Sequence, residues 1–331
     1  MLLLKTRFRG GGGAASVRYL MPVWLAIAVV GMAGAASAQV PQNPSPMVES
    51  TRAHERIRPV DHPGFRLDVD AGLGRAVHLF IPSTKTWDAQ SGQSSLLIHF
   101  HGAPFIVEDA VARLGSHHAA AVVNLGSGSS AYGHPLQHPG AFEHLLDSLS
   151  AAASNLLGRS IRFDHIDLSA FSAGYGGVRA ILTDHPDRIH GVLLLDGLHT
   201  SYFPENVPMA QGGRLDSTLL DPFLDLAAAA IRGERAFLFT HSEVFPGTFA
   251  STTESADFLL DALDLPREAV LEWGPVGMQL LSRAGAGQFR LLGFAGNSAP
   301  DHVDHLHGMS TFLCLLHSAE SSGTECRFSV P

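Results

Sequence analysis

Leu168-Ser169-Ala170-Phe171-Ser172-Ala173-Gly174-Tyr175-Gly176-Gly177 is the stretch on which the fold turns. The apolar run Ile166 to Phe171 has strand character and ends on a serine, and small residues follow at once. A side chain presented at a sharp strand-to-helix turn needs this pattern. The serine backbone is strained there, so bulky neighbours at −2 and +2 would clash. Ala170 and Gly174 occupy those positions, and Gly176 with Gly177 let the new helix lie close to a sheet. Ser172 is therefore the candidate nucleophile; the plainer role is a serine capping the helix.

Outward from this turn, short apolar runs alternate with longer amphipathic ones. Leu67 to Asp70 and Ala76 to Ile81 read as a first hairpin. Leu96 to Phe100, Ala120 to Val123, Ile166 to Phe171, Val192 to Leu195, Ala236 to Phe239 and Phe289 to Phe294 follow as strands. Helical patterns cover Phe142 to Leu157, Gly174 to Leu182, Thr218 to Ile231, Ala256 to Leu263 and about Asp304 to Leu316. Such alternation predicts an α/β chain with a mostly parallel sheet covered by helices on both faces. The polar, Pro- and Gly-containing segment Ser201 to Arg214, within 199–215, reads as a loop or lid.

His99-Phe100-His101-Gly102-Ala103-Pro104 directly follows the third strand. With the serine turn, it makes the chain resemble the α/β-hydrolase family. The resemblance covers nearly the whole chain after the leader by order of elements, although the motifs are short. The family pattern is G-x-S-x-G, and this chain has Ala170 at the first glycine. The resemblance implies an eight-stranded sheet with a leading antiparallel pair, and a Ser-acid-His order along the chain. It also implies an oxyanion hole from the backbone N–H of Ala103 or Gly102 together with that of Ala173.

The implied base falls in Asp301-His302-Val303-Asp304-His305-Leu306-His307. Ser298 and Asp301 fit a capping pair that starts a helix near Ala299 and puts His302 in its first turn. His302 is the expected base, with His305 one turn on as the alternative and His307 on the surface. For the acid, Glu243 lies just past the seventh strand, the usual source in the family, and is preferred. Asp196, at the end of strand six, is the rival. A metal reading competes, with His99 and His101 two apart on a strand, or His302 and His305 with a nearby aspartate. Gly126 to Tyr132 and Phe245 to Ser251 are loops that could line a pocket, and Ser251 with Glu254 should cap a helix.

The first 38 of the 331 residues read as an export leader. Lys5, Arg7, Arg9 and Arg18 precede an apolar run from Leu20 to Gly34, and Ala36-Ser37-Ala38 supplies small residues for cleavage. The run is shorter than a bilayer span and holds Pro22. Residues 39–331 then form one domain. Losing four basic residues takes the formal charge from −9 to about −13. No basic patch remains to suggest nucleic acid. Cys314 and Cys326 are expected to pair in an oxidising compartment.

The expected activity is hydrolysis of a small carboxylic ester through an acyl-enzyme, without cofactor or metal, in a periplasmic or secreted protein. A metal-dependent hydrolase and a catalytically silent binding protein of the same fold are the competing readings.

Overall fold

A computed structural model describes residues 57–83, 94–114 and 118–318. The leader and Cys326 lie outside the described residues. All described residues fall in one compact unit, and none of their helices is long and apolar enough to cross a membrane.

Among the described residues the main sheet has ten strands. β1 (Gly64–Val69) and β2 (Val77–Pro82) form the expected antiparallel hairpin, and β2 pairs antiparallel with β4 (His118–Val123). From β4 onward β3 (Ser94–Phe100), β5 (Phe163–Phe171), β6 (Gly191–Leu195), β9 (Ala236–His241) and β12 (Phe289–Phe294) run parallel. All eight strands expected from sequence are present. The two additional ones, β10 (Glu268–Trp273) and β11 (Gln279–Ala286), extend the far edge antiparallel to β12. They escaped the apolar pattern because β10 is mostly exposed and β11 is small and polar in sequence.

Alternation along the strands separates two cores. Leu96, Ile98 and Phe100 join one cluster with Leu145, Val178, Phe223 and Leu259. These come from α3 (Ala141–Leu157), α4 (Tyr175–Asp184), α5 (Asp221–Ile231) and α6 (Thr252–Ala262). Leu97, Ala120 and Leu193 face the other way, toward Val107, Leu306 and Phe312. Those belong to α1 (Pro104–Leu114), α7 (Ala299–His307) and α8 (Met309–His317). Helices thus cover both faces. Neither α1 nor α2 (Ser129–Leu136) was anticipated from sequence. The single last helix expected there is two, divided at Gly308, where a Cβ would crowd Pro275 and Phe312.

The segment read as a loop or lid holds β7 (Tyr202–Phe203) and β8 (Arg214–Leu215), a small antiparallel pair of its own. The Tyr202 hydroxyl donates to Glu254 Oε2 at 2.7 Å, and the Arg214 guanidinium lies over the exposed Phe203 ring. Glu254 belongs to the expected capping box with Ser251 at the start of α6.

Chain order reverses at β3, since β4 lies on one side of it and β5 on the other. In open parallel sheets the crevice at such a switch point, at the carboxyl ends of the strands, is where ligands bind. The loops leaving β3 and β5 carry His101 to Ala103 and Ser172.

Candidate active site

β5 delivers Ser172 into a half-buried position with φ of 50°, a left-handed backbone that non-glycine residues rarely adopt. Strain of this kind persists only where the surroundings enforce it. The surroundings here are backbone. A Cβ on Gly174 would strike Phe100 O, and one on Gly176 would strike Ser129 O. A Cβ on Gly177 would come 2.9 Å from the Phe100 ring. α4 can therefore start directly at the turn only because these three positions are bare. Gly174→Ala is expected to destabilise the protein by about 1–3 kcal/mol through overpacking. A urea midpoint equal to wild type would contradict that.

On the β3 side, His101 also has positive φ, 72°. Its Nδ1 lies 2.6 Å from Tyr132 Oη, which donates to Gly126 O at 2.8 Å. The Gly126 to Tyr132 segment thus acts as a brace for this turn. The Gly102 N–H donates to Asn124 Oδ1 at 2.9 Å, and Asn124 Nδ2 donates back to Gly102 O at 2.8 Å. The Gly102 amide is therefore committed to Asn124. Of the two alternatives on this loop, that leaves the Ala103 amide as the candidate oxyanion donor, beside that of Ala173.

α7 begins with the expected capping box, Ser298 with Asp301, so His302 falls in the first turn. His302 is nearly buried, and its ring lies 4.6 Å from that of Phe171, the residue before the serine. Its Nδ1 is 2.6 Å from Asp196 Oδ2. No hydrogen bond joins Ser172 Oγ to His302 among the described residues; such bonds are often long before substrate binds.

Asp196 is where the geometry departs from the preferred acid. It directly follows β6, with φ of 43°, and is 1% exposed. Besides His302, its carboxylate accepts from the Ser242 N–H at 2.8 Å, the Ser242 hydroxyl at 2.6 Å and the Thr252 hydroxyl at 2.6 Å. Burial would raise its pKa, but His305, His302 and these donors outweigh burial and hold the carboxyl well below its usual range. His305 is itself pushed down to about 4. At neutral pH the anion therefore rests on His302 and the hydrogen bonds. Glu243, the acid preferred from sequence, is exposed and turned to the loop after β12. Its N–H donates to Gly296 O at 2.8 Å and its Oε2 accepts from the Gly296 N–H at 3.3 Å. The end of β9 thus supplies donors to Asp196, through Ser242, and no carboxylate to His302.

One missed residue is Gly197. A Cβ there would strike the Ser172 backbone, so the bare glycine after Asp196 lets this loop pack on the Ser172 turn. The dipeptide Asp-Gly after an apolar strand was the available signal. His199 was missed as well. It sits between Tyr175 at 5.6 Å and Phe249 at 5.0 Å, with Nδ1 2.8 Å from Ala250 O. Phe249, from the second candidate loop, therefore belongs to an aromatic wall beside the turn.

The other histidines have different neighbours. His305 is fully buried, with Nδ1 2.7 Å from Thr240 Oγ1 and its ring edge-on to Phe294. His307, expected on the surface, is buried, with Nδ1 3.3 Å from Asp304. His99 is fully buried with Nδ1 2.8 Å from Ser169 Oγ, whereas His101 turns to Tyr132, so the two do not converge as a metal pair. Nor do His302 and His305, whose Nδ1 atoms face Asp196 and Thr240.

These buried imidazoles predict a pH dependence of stability. Burial pushes His99 down to about 3 and His101, His241 and His305 down to about 4. In the unfolded chain they take up protons near 6.5. Between about pH 6.5 and 4 the unfolded state therefore binds more protons, and stability falls as pH falls. The ceiling is about 1.4 kcal/mol per pH unit for each group. Denaturant midpoints are expected to hold at pH 7 and above and to fall steeply toward pH 5; a flat profile from 7 to 5 would contradict the burial.

Neither a protein-family model nor a curated protein matches the sequence. Among solved structures the chain is similar to the enterobactin esterase FES from Shigella flexneri, seen with 2,3-di-hydroxy-N-benzoyl-glycine. Identity is 12% and the TM-score 0.46, over 85% of this chain and 65% of that one. It is also similar to the ferric enterobactin esterase of Salmonella typhimurium, at 11% identity and TM-score 0.43, over 85% of this chain and 63% of that one. The S-formylglutathione hydrolase FrmB of Staphylococcus aureus is a third, at 11% identity and TM-score 0.41, over 76% of this chain and 96% of that one. The chain thus spans just under two thirds of the length of the enterobactin esterases, 63–65%. This chain's own sheet is mostly parallel, begins with an antiparallel hairpin and carries a strained serine between β5 and α4. On that architecture the chain has the α/β-hydrolase fold.

Proposed function

We propose that the protein is a serine hydrolase acting on carboxylic esters through Ser172, His302 and Asp196. The observation that carries this reading is the buried His302–Asp196 pair at 2.6 Å, set beside a serine held at positive φ at the switch point of the sheet. Asp196 replaces Glu243 as the proposed acid, because it is the carboxylate that touches the imidazole.

The reaction proceeds as acyl transfer. Asp196 holds the Nδ1–H of His302, which leaves the Nε2 lone pair to accept the Ser172 proton. Oγ attacks the ester carbonyl, and the N–H groups of Ala103 and Ala173 receive the developing oxyanion. The imidazolium returns its proton to the leaving alkoxide. Water, deprotonated by the same imidazole, then releases the acid and restores Ser172. The scheme draws on no cofactor. Ester rather than peptide substrates fit a site walled by His199, Tyr175 and Phe249, with no peptide-binding module in the sequence. The basic and apolar leader supports export, with the enzyme periplasmic or secreted after cleavage.

Labelling of the intact protein by a fluorophosphonate, and its loss in Ser172→Ala, tests the nucleophile; a nitrophenyl ester panel then tests the substrate class. The histidines are distinguished by substitution. His302→Ala is expected to cost activity about as severely as loss of the serine. His305→Ala is expected to lower stability by a few kcal/mol by emptying a buried site, with far less effect on kcat of the folded fraction. Equal and severe losses of kcat in both would contradict the assignment.

A further inference from the structure

At the opposite edge of the sheet, where the parallel strands begin, a second polar cluster lies outside the proposed mechanism. Asp167 is fully buried on β5. Three imidazoles converge on its carboxylate. His118 Nε2 is 3.2 Å from Oδ2, His317 Nε2 is 3.3 Å from Oδ2 and His165 Nε2 is 3.5 Å from Oδ1. The backbone explains the convergence. His165 and Asp167 are two apart on one strand and share its α1/α7/α8 face. His118 opens β4, and His317 ends α8.

The distances carry the argument. A charge-assisted N–H···O bond between imidazolium and carboxylate is about 2.7–2.9 Å long. Two ligand atoms at about 2.0–2.1 Å from one tetrahedral zinc ion are about 3.3–3.4 Å apart. All three distances here match the second value and exceed the first. Moreover, Asp167 Oδ1 is buried and, among the described residues, meets only the long His165 contact at 3.5 Å, a costly state for a carboxylate oxygen that a cation would relieve. One ligand atom from each of His118, His165 and Asp167 lies within 4.8 Å of the others. The His118 and His317 rings are 5.0 Å apart, and the His165 ring is stacked at 4.1 Å on His190, which restrains its orientation. His165 is about a third exposed and gives an ion a way in.

We propose that His118, His165 and Asp167 form a structural binding site for zinc or a similar borderline-soft dication, with His317 bordering it. The ion would tie the start of β4 to β5. Ser172 lies five residues along β5 from Asp167, about 17 Å away, so the ion takes no part in acyl transfer. The site does not depend on the hydrolase assignment.

The test uses the whole protein, stripped with a chelator and dialysed. Calorimetric titration with Zn²⁺ is expected to show one saturable site. Zn²⁺ should raise the melting temperature, EDTA should reverse the rise, and Co²⁺ should give the visible absorption of a tetrahedral complex. His165→Ala and Asp167→Asn should each weaken Zn²⁺ binding by on the order of 100-fold or more. If Asp167→Asn does not fold, His165, about a third exposed, keeps the test intact. Absence of a one-to-one site in the wild type, or unchanged affinity and cobalt spectrum in His165→Ala, would overturn the proposal and leave the cluster an ion-pair network.

Discussion

Ser172→Ala is expected to remove ester hydrolysis almost entirely, by on the order of 10⁴- to 10⁶-fold in kcat, while the protein still folds. The size of the loss follows from the scheme. Without Oγ no acyl-enzyme forms, and what remains is the contribution of the oxyanion amides and of binding. Retention of the fold follows from the site. The turn is shaped by Gly174, Gly176, Gly177 and Gly197, none of which is altered, and alanine removes only a hydroxyl for which no hydrogen bond is seen. Serine and alanine both carry a Cβ, so the strain at φ of 50° is the same in each. Circular dichroism should be unchanged, and the fluorophosphonate label should be lost. Hydrolysis at the wild-type rate would remove Ser172 from the mechanism.

Asp196→Asn is expected to lower kcat by about 10⁴-fold, and Glu243→Gln by no more than a few-fold. An amide at 196 can present its NH₂ group to His302 and select the tautomer in which Nε2 carries the proton, so the imidazole can no longer accept from Ser172. The same change also disturbs the bonds from Ser242 and Thr252, so a stability loss should accompany the kinetic one. The pH–rate profile separates the two effects. With the wrong tautomer, activity is expected to recover at high pH, where hydroxide can substitute for the base; a purely structural defect would not recover. Among the described residues Glu243 hydrogen-bonds to the Gly296 backbone alone, so its substitution reaches the site through the loop that precedes α7. A severe loss in Glu243→Gln with a mild one in Asp196→Asn would reverse the assignment of the acid.

Much of the architecture was legible in the chain because burial writes itself into local pattern. A strand covered on both faces must be apolar throughout, and β3, β4, β6 and β9 read that way. Ser298-x-x-Asp301 marked the start of α7 because both halves of a capping box lie within one turn of sequence. β10 and β11 left no such mark, since an exposed antiparallel edge needs little apolar surface. α1 was hidden by its position directly behind the His101-Gly102-Ala103 turn. Its buried Ile106, Val107, Ala110 and Val111 do follow helical spacing.

The division between His302 and His305 was half legible. The cap placed His302 in the first turn, but only packing shows that His305 faces Thr240 and Phe294 inside the α1/α7/α8 layer. The choice between the two candidate acids was not legible. Asp196 and Glu243 both follow parallel strands, and both are carboxylates near a turn. Sequence could rank them only by the habit of the family.

The order of strands and helices, the serine turn and its glycines, and the helix that begins at Ser298 are consequences of local chemistry, because dihedral strain, capping and alternation act over a few residues. The partnership of Asp196 with His302 spans 106 positions, and that of His118 with Asp167 spans 49. Only the tertiary structure decides such pairs. A buried carboxylate is tolerated only where donors or cations from distant strands meet it, and which strands meet is settled by the sheet as a whole.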